Sequence, residues 1–228
     1  MHKAKIFCFT VFTLVVFAFV FHVTAMGHHH WKKATAKNTT VDDLNEITIG
    51  LFTRCTPSKT YQTETCVPNK YPRNNDCFIL NECLRRTANE SCPCDFLPST
   101  KGIASCTIIA SVFLGLSIII LFIHSINTSE TNSLGLLLSF FPLILLLLAF
   151  IFILIALILV GSYLSRDMMH ALREQNLSND LSLLRQTAAD RYTIRIDWST
   201  GLEIIALVLT FFSFILYNVF VFKIGRSP

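Results

Sequence analysis

The sequence predicts an all-α membrane protein of four spanning helices, with a small antiparallel β-sheet assembled from the loops on one side. Three observations predict it. Four runs, 6–23, 103–127, 131–165 and 204–222, contain no Asp, Glu, Lys or Arg. Six of the eight cysteines fall between the first two runs. Short stretches alternating apolar and polar residues lie after the first run and just before the last. Each apolar run reaches the roughly 18–20 residues that cross about 30 Å of hydrocarbon as a helix. With 52% of its 228 residues hydrophobic and gathered into these runs, the chain has no room for a separate soluble core.

The first run follows Lys3 and Lys5 and ends near Val23-Thr24-Ala25, a layout that also describes a cleavable signal peptide. Its length, and its unbroken continuation to Trp31, favour a retained helix. Charge in the short segments sets orientation. Lys3 and Lys5 mark the N-terminal tail, Lys223 and Arg226 mark the C-terminal tail, and neither tail has an acidic residue. Both ends are expected in the cytosol. The expected order is a cytosolic tail (1–5), helix 1 (6–26), a long extracellular loop (27–102), helix 2 (103–124), a cytosolic loop (125–133), helix 3 (134–165), a second extracellular loop (166–199), helix 4 (200–222) and a cytosolic tail (223–228). The expected location is the plasma membrane, reached through the secretory pathway.

Cysteine placement agrees. Cys55, Cys66, Cys77, Cys83, Cys92 and Cys94 lie in the first loop, and an even set confined to one loop points to disulfides in an oxidising compartment. Cys8 and Cys106 lie inside expected helices and read as small apolar residues. Sequons at Asn38, Asn89 and Asn176 are glycosylation candidates on the same side, whereas Asn127 falls on the cytosolic side. The net charge of +4 forms no basic patch, so nucleic acid is not an expected partner.

In the first loop, Trp31 stands where an indole suits the headgroup level and reads as a membrane anchor. Ile47, Ile49 and Leu51 alternate with polar or small neighbours, the period of a half-buried strand. Cys55 follows, then Thr56-Pro57-Ser58 as a strand breaker, and a second β-prone run, 60–65, leads to Cys66. Two strands with a cysteine on each look like a hairpin stapled by one bridge. The remaining four cysteines lie among turn residues, and their connectivity is open. In the second loop, Met168, Met169, Leu172, Leu177, Leu181, Leu184 and Ala188 recur at helical spacing. The third helix is therefore expected to project beyond the bilayer, followed by a short amphipathic helix capped near Ser178-Asn179. Tyr192, Ile194, Ile196 and Trp198 alternate with Thr193, Arg195 and Asp197. A lone strand here would leave both edges unpaired, so it is expected to join the first-loop sheet.

These residues resemble the claudin superfamily of four-helix membrane proteins. That group also takes in the peripheral myelin and epithelial membrane proteins, calcium-channel gamma subunits and related glutamate-receptor auxiliary subunits. The pattern is a Trp after the first helix, then Gly-Leu-Trp, then two cysteines about ten residues apart. Here it reads Trp31, Gly50-Leu51-Phe52, Cys55 and Cys66. The resemblance implies a left-handed four-helix bundle with an outer antiparallel sheet whose last strand comes from the second loop. It implies a Cys55–Cys66 bond within that sheet, and packing of Trp31, Gly50, Leu51 and Phe52 between sheet and helix tops. Three features depart from it. Phe52 replaces a Trp, the first loop carries extra cysteines, and the C-terminus lacks the final hydrophobic residue that a PDZ groove captures. PDZ scaffolds are not expected partners.

Other motifs have plain readings. His28-His29-His30 could suggest a metal, but consecutive side chains in an extended segment alternate in direction and rarely chelate one ion. Cys92-Pro93-Cys94 lacks the two-residue spacing of thiol oxidoreductases and reads as structural. Glu203 is expected at interface depth, reaching water. Pro142 is expected to kink helix 3, and the small residues of helix 2 from Ala104 to Gly115 suit close packing. No nucleophile–base pair, phosphate loop or cofactor motif is present, so no enzyme activity, metal or cofactor is expected. The expected partners are the lipid bilayer and other membrane proteins. The expected role is contact at the cell surface, in adhesion, junction or barrier formation, with an auxiliary subunit of a channel or receptor as the alternative.

Overall fold

A computed structural model of the chain describes residues 2–37, 46–57, 64–72, 93–126, 133–176 and 192–224. Among these, the elements in chain order are α1 (His2–Gly27), β1 (Lys32–Ala36), β2 (Ile47–Ile49), β3 (Thr53–Pro57), β4 (Glu64–Pro68), β5 (Lys70–Pro72), β6 (Cys94–Phe96), α2 (Pro98–Ile126), α3 (Ser133–Asn176), β7 (Tyr192–Ile196) and α4 (Trp198–Ile224). The chain divides into two compact units, one of residues 1–24, 105–157 and 202–228, the other of 25–104 and 158–201.

The first unit is helical. Cys8, Val11 and Val15 of α1, Ala110, Leu114 and Leu121 of α2, Leu146, Ala149 and Ile153 of α3, and Tyr217, Phe220 and Val221 of α4 form one buried cluster. Small residues lie where the helices meet: Ala110 and Ala149 are fully buried, and Gly115 faces the Phe19 ring with room for a methyl group. Each helix contributes a segment long and apolar enough to cross a membrane: Ile6–Gly27, Pro98–Ile123, Phe140–Ala171 and Trp198–Phe222. Only 28–33% of each apolar window is buried. Large side chains such as Phe9, Ile119, Phe141 and Phe212 turn outward, a surface that water would not tolerate and lipid does. The chain is thus read as a multi-pass membrane protein. The buried hydroxyls of Thr210 and Ser213 donate to carbonyls four residues back, satisfying themselves within their own helix.

The second unit holds a five-stranded antiparallel sheet in the order β4-β3-β2-β1-β7, and a two-stranded sheet of β5 and β6. Strand β7 pairs with β1 from Lys32↔Ile196 to Ala36↔Tyr192, so the stretch before α4 does join the first-loop sheet. The strand limits differ from the sequence expectation. Four strands, not two, precede residue 69 among the described residues: β1 is additional, and Gly50, Leu51 and Phe52 make a turn that separates β2 from β3. Cys55 therefore lies in mid-strand, and β3 ends at Pro57, within the expected breaker; Ser58 lies outside the described residues. Proline is tolerated there because it is the last residue of the strand. Alternate strand residues Ala34, Ile47, Ile49 and Tyr192 pack with Met168 and Ala171 of α3. At 44 residues, α3 spans roughly 66 Å at about 1.5 Å per residue, twice the hydrocarbon depth. Its part from residue 158 onward belongs to the sheet unit and backs the sheet through Met168 and Ala171. The amphipathic helix expected over 177–188 lies outside the described residues.

Candidate interaction module on the sheet

Two opposite faces of the sheet follow from strand parity. On the α3 side, Lys32 enters the core, 4% exposed, and its ammonium lies 2.5 Å from Asp167 Oδ2. Ser99 at the start of α2 donates to Asp167 Oδ1 at 2.7 Å. Both carboxylate oxygens are thus engaged, the condition under which a buried ion pair is tolerated. Arg54 lies with its guanidinium 4.6 Å from the centre of the Tyr71 ring. On the opposite face, Lys33 pairs with Glu46, Thr48 sits opposite Cys55, and Cys55 sits opposite Cys66.

Cys55 and Cys66 are bonded to each other, joining β3 to β4. The bridge closes a separation of 11 residues, which in the chain-entropy account contributes about 3 kcal/mol. Cys55→Ser should therefore lower the unfolding midpoint of the purified protein and reduce its delivery to the cell surface. Wild-type surface biotinylation of the variant would contradict the staple. Cys94 is also disulfide-bonded, and its partner lies outside the described residues. Cys77, Cys83 and Cys92 lie outside them as well, as do Asn38 and Asn89. Asn176 is the last residue of α3. Cys8 and Cys106 are free thiols, in line with their reading as apolar residues.

The segment between α1 and β1 is locked to the start of α4. Trp31 is not the membrane-surface anchor that the sequence suggested: it is 1% exposed, and its indole N–H donates to Ala25 O at 2.6 Å. That carbonyl is one of the last four of α1, which have no partner in their own helix. An indole buried here is satisfied where one at the headgroups would need water or lipid. Trp31 O accepts from Thr200 Oγ1 at 2.8 Å and from Asp197 N at 3.1 Å. Asp197 caps α4 by accepting from Trp198 N at 2.8 Å. The exposed indole is that of Trp198, at 43%.

Gly50 is required by close approach. A Cβ there would stand 2.5 Å from His29 Cα and 2.7 Å from His28 O, both backbone atoms. Gly50→Ala must displace one chain segment and should cost about 1–3 kcal/mol, read as a lower thermal midpoint in detergent; an unchanged midpoint would show that the segments are not in contact. Asn69 ties the same turn, donating to Gly50 O at 2.9 Å while its backbone N–H donates to Phe52 O. Leu51 is buried, but Phe52 is 41% exposed, so the packing role implied for Phe52 is corrected. With its backbone committed to the turn, its ring points outward.

The three consecutive histidines have different partners, although His28 and His30 both pack against Trp198. His28 meets the edge of Trp198 with ring centres 4.7 Å apart, His29 Nε2 lies 2.9 Å from Glu64 Oε2, and His30 Nδ1 lies 2.8 Å from Asp197 Oδ2.

The helical unit contains a polar site that sequence reasoning missed. Glu203 does not reach water; it is 0% exposed. His22 Nδ1 lies 2.8 and 2.9 Å from its two carboxylate oxygens, and His22 Nε2 lies 2.9 Å from Thr107 O. A carbonyl only accepts, so Nε2 carries a proton, and a second proton lies between Nδ1 and the carboxyl. The pair is net neutral whichever partner holds that proton, and it ties α1, α2 and α4 together. Depth held the signal. His22 stands 27 − 22 = 5 residues before the end of α1, and Glu203 stands 203 − 198 = 5 residues after the start of α4. The chain matches no family model, and no curated protein matches it.

Proposed function

We propose that the chain is a non-enzymatic, claudin-like four-pass membrane protein whose extracellular sheet makes specific protein contacts at the cell surface. The observation that carries this reading is a covalently stapled sheet with large apolar side chains exposed around its margin. Phe52, Ile196 and Trp198 are 41–49% exposed at its turn, edge strand and rim. Exposed aromatic and branched residues on a rigid support are the usual anchors of a protein interface. The layout of Trp31, Gly50-Leu51-Phe52, Cys55 and Cys66 supports the likeness to claudins, as does a sheet completed by the strand before the last helix. On this reading both termini are cytosolic, the sheet faces outward at the plasma membrane after passage through the secretory pathway, and Asn38, Asn89 and Asn176 are glycosylated.

The first role is lateral or trans association in cell adhesion, junction or barrier formation. The second, an auxiliary subunit of an ion channel or receptor, is favoured by the six-cysteine first loop, which exceeds the two-cysteine pattern of claudins. Crosslinking with mass spectrometry in native membranes separates them. Adhesion predicts recovery mainly of further copies of the chain, and a channel co-purifying in fixed ratio would overturn it in favour of the auxiliary role. Expression in non-adherent cells gives a second test, since adhesion requires accumulation at contacts.

A further inference from the structure

The outer face of the sheet gathers a set of metal-type donors around its bridge. Cys55 and Cys66 are register partners on β3 and β4. Glu64 precedes Cys66 by two residues and so shares its face. His29 comes from the segment that runs against the bare side of Gly50. One ligand atom from each of His29, Cys55, Glu64 and Cys66 lies within 4.8 Å of all the others. A tetrahedral zinc site, with ligands about 2.0–2.3 Å from the metal, needs donors roughly 3.3–3.8 Å apart. The cluster is therefore within a side-chain adjustment of that geometry. Entry is provided by an adjoining cavity of about 160 Å³ lined by Glu46, Thr48, Cys55 and Glu64.

While the bridge is closed, its sulfurs are bonded to each other and supply no thiolate. We propose that, with the bridge open, the Cys55 and Cys66 thiolates, His29 Nε2 and the Glu64 carboxylate form a site for a zinc-type divalent cation. Metal capture and disulfide closure then become alternative ways of joining β3 to β4. Opening takes two electrons and two protons from a dithiol, which becomes a disulfide, and leaves two thiols. Binding of the cation as a dithiolate releases those two protons. The donor set of two sulfurs, one imidazole and one carboxylate suits zinc over magnesium or calcium. The newly made chain passes through the open state before its bridge forms, so the site is available during maturation.

The test uses the full chain in detergent micelles, reduced with a phosphine and titrated with Zn²⁺ against a chromophoric chelator. Cd²⁺ serves as a second probe through its thiolate charge-transfer band. The reduced wild type should bind one more Zn²⁺ than the Cys55→Ser/Cys66→Ser double variant. His29→Ala and Glu64→Gln, which keep every cysteine and form the bridge before reduction, should each weaken that binding by about tenfold or more. Zn²⁺ should also slow re-formation of the bridge until a chelator is added. Unchanged affinity in both His29→Ala and Glu64→Gln would overturn the proposal, because the thiols would then bind metal without this site. Equal binding by the oxidised protein would overturn it as well.

Discussion

Replacing His22 by alanine is expected to destabilise the helical unit by about 3–5 kcal/mol, the range for breaking a buried charged pair from one side. Glu203 would remain fully buried with its partner gone. Glu203→Ala should cost a similar amount, since it leaves Nδ1 of a buried imidazole unsatisfied. Glu203→Gln should be mild, about 1.5 kcal/mol or less. Its amide can donate to Nδ1 while Nε2–H stays on Thr107 O. Replacing both residues by leucine should recover most of the loss, because no polar group is then stranded. Unfolding of each variant in mixed micelles of increasing denaturing detergent measures these differences. Costs that simply add in the double variant would show that the two side chains are not coupled.

Asp167→Ala should have an effect of the same size on the sheet unit, about 3–5 kcal/mol. It strands the Lys32 ammonium in a core position where it is 4% exposed, and it removes the acceptor of the Ser99 hydroxyl. Asp167→Asn keeps an acceptor for one partner but does not balance the charge, so it should fall between wild type and alanine. Lys32→Met with Asp167→Leu should restore much of the stability, because both positions are buried and no charge is then stranded. Protection of the β1 and β7 amides from hydrogen exchange is the local readout. Loss of protection in Asp167→Ala that is absent from the double variant would identify the stranded charge as the cause. Equal protection in Asp167→Ala and wild type would contradict the assignment.

Much of the architecture was legible from period and composition. The described residues of the four apolar runs lie in helices, and the alternation from Tyr192 to Trp198 located β7 and its approach to α4. Recurrence of Met168 and its neighbours at helical spacing anticipated that α3 continues past residue 165. The β-strands of the first loop were harder. Strands of three to five residues hold too few alternations to fix their ends, so the turn at Gly50 and the place of Cys55 within β3 were misread. Lys32, Lys33, Ala34 and Thr35 show no apolar alternation, and β1 was missed. Its stability comes from pairing on both sides and from the Asp167 partner of Lys32.

Sequence alone determined the quantities that are local or additive: which segments are apolar enough to span lipid, which alternate as strands, and where cysteines cluster. Tertiary structure alone decided which polar side chains are buried. Trp31 became an internal donor and Trp198 the exposed indole. Glu203, assigned to water by its depth, became the partner of a histidine 181 residues away. The physical reason is that burial of a charge depends on whether a partner meets it within hydrogen-bond distance. Such a meeting depends on how helices and strands pack, and it leaves no period in the chain.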